Sequence, residues 1–101
     1  MSKIYYRDKI LEFYPGTGDK KYKVIIYKKN GKKIKTVQFG NKNFDQYYDN
    51  TPLKLYSFKD HLDKYRRRLY RDRHSKIKNN KGEYVHKIEF TPSWFSMNFL
   101  W

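Results

Sequence analysis

The stretch KYKVIIYKKNGKKIKTVQFG, residues 21–40, decides the fold. Two runs rich in β-branched and aromatic residues, 21–28 and 32–39, flank Asn30-Gly31. That pair suits a type I′ hairpin turn, in which both central positions take positive φ. With Asn30 and Gly31 as the loop, Val24 faces Val37 and Tyr22 faces Phe39 on one side. Ile25 then faces Thr36, and Tyr27 faces Ile34, on the other. Both faces are partly apolar, so each calls for a cover: a helix on one, the aromatic ends of the chain on the other.

Working outward, PGTGD at residues 15–19 is turn chemistry and reads as a boundary. Residues 1–19 read as an N-terminal arm or a short helix, with Tyr6, Ile10 and Phe13 at helical spacing, and residues 20–101 as a single compact α+β domain. Residues 40–56 lack a period and read as an ordered loop pinned by Phe44, Tyr47 and Tyr48. Ser57 and Asp60 form an S-x-x-D helix start, and the helix is expected to continue to Lys78, where 79–82 (NNKG) stop it. YVHKIEF, residues 84–90, alternates as a third strand, with Tyr84, His86, Ile88 and Phe90 on one side. Thr91-Pro92 is an N-cap and first-turn pair for a short aromatic helix in SWFSMNFLW. The expected fold is a small antiparallel sheet, the hairpin plus a third strand, packed by one long basic helix and this aromatic one.

Composition narrows the function. The 101 residues carry 24 Lys and Arg against 10 Asp and Glu, a formal net charge of +14. A chain of this length supports one core, not two. High charge with low hydrophobicity favours disorder when aromatics are scarce, but 11 Tyr, 7 Phe and 2 Trp are enough to build a core. Without cysteine there is no disulfide frame, thiolate zinc site or thiol nucleophile. No apolar run reaches the roughly 20 residues of a membrane-spanning helix. Charges at Lys3, Arg7, Asp8 and Lys9 interrupt the place of a signal peptide, so a soluble intracellular protein is expected. Alanine is absent and Lys, Asn, Tyr, Ile and Phe abound, as codon bias in an AT-rich genome would produce. Some lysines are therefore only a solvated face. The arginines are clustered instead: Arg66, Arg67, Arg68, Arg71 and Arg73 lie within eight positions.

On the expected helix, Phe58, Leu62, Tyr65 and Leu69 share a narrow arc, the spacing of a core-facing stripe. Asp63, Arg67, Tyr70 and His74 repeat that spacing about 140° away, with Arg66 and Arg73 between the stripes. Asp63 can pair with Arg67, and Tyr70 can stack on His74. This second stripe reads either as a solvated helix face or as a recognition face, since an arginine fork suits phosphate or carboxylate.

The run HLDKYRRRLYRDRH, residues 61–74, resembles an H-x-D-x-x-R-R-x-x-Y-x-x-R-H signature in a family of small uncharacterised proteins of nucleocytoplasmic large DNA viruses, the giant viruses. Phe39-Gly40 resembles the family's FG after its second strand, and Ser96 with Leu100-Trp101 resembles its closing S-x-x-x-L-W. The resemblance covers residues 20–101. The loop before Ser57 is longer than the family's, and YVHKIEF replaces a shorter acidic, Trp-containing link. The resemblance implies a viral origin, in the virion or the infected-cell cytoplasm, and supplies no activity.

Among chemistries, a metal-dependent nuclease built from histidine and aspartate is disfavoured by geometry. On one straight helix, His61 and His74 lie roughly 20 Å apart and Asp63 and His74 roughly 16 Å. Gly16 and Gly18 precede a strand, unlike a phosphate-binding loop. No enzyme activity, metal or cofactor is expected. Clustered arginine with interleaved tyrosine fits binding of nucleic acid or another polyanion by phosphate contacts without sequence preference. Arg66, Arg67, Arg71, Arg73, Tyr70 and His74 on the helix, and Lys28, Lys29, Lys32 and Lys33 at the hairpin tip, are the candidate binding residues. The alternative is a minor structural virion protein whose basic face docks acidic capsid proteins or membrane headgroups.

Overall fold

Alternation of apolar and polar residues along the first 41 positions builds an antiparallel meander. In the computed structural model, which describes residues 2–101, the strands are β1 (Lys3–Tyr6), β2 (Lys9–Pro15), β3 (Lys20–Lys28) and β4 (Lys33–Asn41), in spatial order β1-β2-β3-β4. Leu11 pairs with Ile26, Phe13 with Val24, Val24 with Val37 and Tyr22 with Phe39, so one face gathers the buried apolar side chains. The period of two puts Glu12, Tyr14, Lys23, Ile25 and Gln38 on the opposite, half-exposed face.

The N-terminal segment is therefore neither an arm nor a helix. Its Tyr6, Ile10 and Phe13, read at helical spacing, belong to two strands of the same sheet, and Met1 lies outside the described residues. PGTGD is a tight turn inside the sheet and not a boundary, closed by hydrogen bonds from Gly16 N to Lys21 O (3.0 Å) and Lys20 N to Thr17 O (3.1 Å). A Cβ on Gly16 would lie 2.3 Å from Lys20 O, so no other residue fits there.

The second hairpin keeps the expected register from Tyr22 to Ile26 and then slips by one, pairing Tyr27 with Lys33 instead of Ile34. The turn explains the slip. Gly31 N bonds Lys28 O (2.9 Å), Lys28 N bonds Lys32 O (2.8 Å), and Gly31 alone of the loop has positive φ, at 90°. This is a three-residue loop with a glycine bulge, not the two-residue type I′ turn.

The aromatic helix α2 (Pro92–Phe99) covers the buried face. Thr91 Oγ1 caps it by accepting from Trp94 N (3.1 Å). Its Phe95 ring stacks on Phe39 (5.3 Å, 18°) and meets Phe13 edge-on (6.3 Å, 90°). Trp94, Phe95, Met97 and Leu100 complete the core. Large rings bury on the order of 150–250 Å² each, which is how a chain poor in small aliphatics fills a core.

The loop after β4 is pinned by polar groups, whereas Phe44 and Tyr48 are exposed. Asp49 is fully buried; its carboxylate accepts from Tyr22 OH, Thr51 N (3.0 Å), Thr51 Oγ1 (2.6 Å) and Tyr56 N (3.0 Å). Gln46 Nε2 donates to Tyr56 O and Asp60 Oδ1, each at 2.7 Å. Lys21 Nζ donates to Gln46 Oε1 (2.6 Å) and Phe44 O (2.8 Å). A buried network with its bonds made is a strong device for fixing one loop conformation.

That network also shortens the basic helix. Asp60, expected to cap it, serves Gln46 and Asp49 N instead, while His61 N and Leu62 N bond Gln46 O and Tyr47 O. Leu62 sits at φ 53°, outside right-handed helix space. Residues Ser57–Lys59 form only a 3₁₀ turn, and α1 runs over Lys64–His74. Its cap is Asp63, whose Oδ1 accepts from Tyr65 N (2.9 Å) and Arg66 N (3.2 Å). The expected third strand is absent as well: Val85–Lys87 is a 3₁₀ turn, joined to the preceding segment by a single Lys78–Tyr84 bridge.

Candidate functional site

α1 packs by the face expected to be outward. Phe58, Leu62, Tyr65 and Leu69, the expected core stripe, are 77%, 60%, 60% and 38% exposed. The reason lies in α2, which already fills the buried face of the sheet and leaves α1 in an outer position. There it is held by Trp101. Tyr70 stacks on the Trp101 ring (4.0 Å, 6°), and His74 stacks on Tyr70 (3.9 Å, 18°). His61 approaches Trp101 at 5.2 Å. Arg67 Nε and Arg71 Nε both donate to Trp101 O at 2.9 Å, and Arg71 Nη2 donates to Met97 O at 3.2 Å. The Arg67 guanidinium also lies 4.8 Å from the centre of the Tyr47 ring.

The candidate residues thus divide. Arg67, Tyr70, Arg71 and His74 are partly buried and hold the helix in place, while Arg66 and Arg73, with Arg68, are exposed. The expected Asp63–Arg67 pair does not form, because Asp63 is occupied as the cap. Among the described residues, the cations within ion-pair distance of a carboxylate are Lys3, Arg7, Lys9, Lys59 and Lys76, and no arginine of α1 is one of them. Arg67 and Arg71 instead donate to main-chain oxygens, those of Trp101 and, for Arg71, Met97.

Lys28, Lys29, Lys32 and Lys33 are exposed, but they lie at the far end of the hairpin. Eight steps of about 3.3 Å along β3 separate Lys28 from Lys20, roughly 26 Å. The two cationic groups are far apart on the fold.

A cleft of about 700 Å³ opens between α1 and the ends of β3 and β4, with α2 behind it. Arg66 and Arg73 from α1 line it together with Lys20, and Asp45 is the sole acidic side chain in its lining, 3.9 Å from Lys59 Nζ. Leu69, Ile77, Leu100 and Trp101 supply apolar wall. Buried Lys21 also lines it; desolvation, with Lys59 nearby, pulls its ammonium down to about 8. Burial, reinforced by Arg73, holds the His74 imidazole below its ordinary value near 6.5, and burial with Arg66 does the same to His61. Both rings are therefore neutral at pH 7. Lys20, Lys21 and Ser93 were not legible as site residues, since strand alternation does not tell which strand end will meet a distant helix.

His61 and Asp63 lie before α1, not on it, so the straight-helix distances to His74 do not apply. Among the described residues, no three His, Asp or Glu side chains converge in a way that could hold a metal ion, and no helix is long and apolar enough to cross a membrane. No protein-family model, curated protein or solved structure matches the chain.

Proposed function

We propose that this is a small basic, non-enzymatic protein that binds nucleic acid through phosphate contacts without sequence preference, in the virion or the infected-cell cytoplasm of a giant virus. One observation carries the reading: five arginines within eight positions, none within ion-pair distance of an Asp or Glu side chain among the described residues, with Arg66, Arg68 and Arg73 exposed. Such a cluster repels itself unless an external polyanion supplies counter-charge. The viral setting rests on the resemblance carried by residues 61–74, Phe39-Gly40, Ser96 and Leu100-Trp101.

The test is the salt dependence of duplex DNA binding. Counterion release lowers log affinity by about 0.9 per neutralised phosphate for each decade of salt. Replacing Arg66, Arg68 and Arg73 by Gln is expected to reduce the slope by roughly two to three. The same change at Lys28, Lys29, Lys32 and Lys33 is the comparison. If only the lysine variant loses binding, α1 is not the interface.

A second reading, a minor structural protein docking acidic capsid or membrane surfaces, draws support from the exposed Phe58, Leu62 and Tyr65 beside the arginines. An arginine variant that binds DNA normally yet fails to enter virions would favour it.

A further inference from the structure

We propose that the cleft between α1 and the ends of β3 and β4 takes one unstacked nucleobase of a single strand, with the adjoining phosphates at Arg66 and Arg73, a proposal that rests on the nucleic-acid reading and gives it a strand preference. The volume, about 700 Å³, lies in the range of small-molecule sites. Its chemistry is mixed in a particular way. Leu69, Ile77 and the edge of the Tyr70–Trp101 stack offer apolar contact, while Asn41 adds a neutral hydrogen-bonding group. A hydrocarbon occupant would make no use of the Asn41 amide. A base has both an apolar face and a polar edge.

Charge sets the rest of the ligand. Lys20, Arg66 and Arg73 line the cleft, and Asp45, its one acidic side chain, already faces Lys59. The occupant is therefore a planar polar heterocycle attached to an anion, which describes a nucleotide within a strand. A duplex holds its bases stacked and must flip one out to fill such a site, whereas a single strand offers them directly.

The experiment compares three labelled probes by fluorescence anisotropy at one salt concentration: a ten-residue oligothymidylate, an abasic oligomer of equal length and charge, and a ten-base-pair duplex. The oligothymidylate is expected to bind about tenfold or more tightly than the abasic oligomer. It should also quench Trp101 fluorescence where the abasic probe does not. Ile77→Trp, which fills the cleft from an exposed position, should abolish the preference while abasic binding stays unchanged. Leu69→Ala, which truncates the apolar wall at an exposed position, should reduce it several-fold and guards against misfolding of the bulkier variant. Equal binding of both single strands, unaltered by either substitution, would overturn base insertion and leave the phosphate reading intact. If none of the three probes binds, the nucleic-acid reading fails with it.

Discussion

Tyr70 and Trp101 lie face to face, their ring centres 4.0 Å apart and their planes 6° from parallel. This contact makes α1 part of the fold. The helix has eleven residues and buries none of them fully, so it is too short to persist by intrinsic propensity. Tyr70→Ala is expected to cost about 2 kcal/mol, between an exposed pair and a fully buried ring. Tyr70→Phe should cost less, about 1 kcal/mol, since the stacking is kept and only the hydroxyl that meets Ser96 is lost. Chemical denaturation followed by circular dichroism measures both.

Arg71 makes two hydrogen bonds from its guanidinium, to Trp101 O and Met97 O. Arg71→Lys keeps the charge but not the fork, and should lose about 1–3 kcal/mol. Arg68→Lys, at an exposed position with no such bonds, should be neutral within about 0.5 kcal/mol. Equal melting temperatures for the two variants would show that Arg71 does not anchor the helix.

The start of α1 is tested by three single changes. Asp63→Ala removes the cap and should cost about 1 kcal/mol. Asp60→Ala should cost more, because it strips a partner from buried Gln46 Nε2 and from Asp49 N. Ser57→Ala should be nearly silent. A large effect at Ser57 would restore the longer helix starting there.

Acid should weaken the structure before the carboxylates titrate. His61 and His74 both have folded-state values below the ordinary 6.5. The unfolded chain then binds more protons in that range, so stability is complete above about pH 6.5 and falls as the pH drops through the histidine region. Asp63 opposes the depression at His61, while Arg66 and Arg73 reinforce it at the two rings. His74→Phe keeps an aromatic ring on Tyr70 and should flatten the decline. An unchanged pH profile in that variant would exclude His74 as a contributor.

The hairpin was legible because its signals are local: β-branched residues, alternation and Asn30-Gly31 within twenty positions. The Thr91-Pro92 cap was legible for the same reason. The helix face was not. Phe58, Leu62, Tyr65 and Leu69 have core periodicity, but Asp60 and Leu62 are claimed by the loop at Gln46 and Tyr47, and the sheet face is already taken by α2. Periodicity reports that a stripe can be buried, not that a surface is free to receive it. Residues 1–19 misled in the opposite direction, since four-residue β1 is too short for spacing to separate strand from helix. Arg66 and Arg73 were legible as a cationic cluster. Their position in one cleft with Lys20 depends on tertiary packing between segments 46 to 53 residues apart, which no local pattern encodes.

The anchoring of α1 by Trp101 has a consequence for the order in which the chain acquires structure during synthesis. Each hairpin of the meander closes between neighbours in sequence, so the sheet can form its pairings early. The arginine helix waits, because its partner Trp101 follows Arg67 by 34 residues and Arg71 by 30. At about 5–20 residues per second that delay is roughly 1.5 to 7 seconds, during which eleven highly charged residues have no docking surface. A stalled nascent chain carrying β1 to β4 and α1, but not yet Trp101, should therefore be cut by trypsin within the arginine run. Release of a chain that includes Trp101 should close those sites.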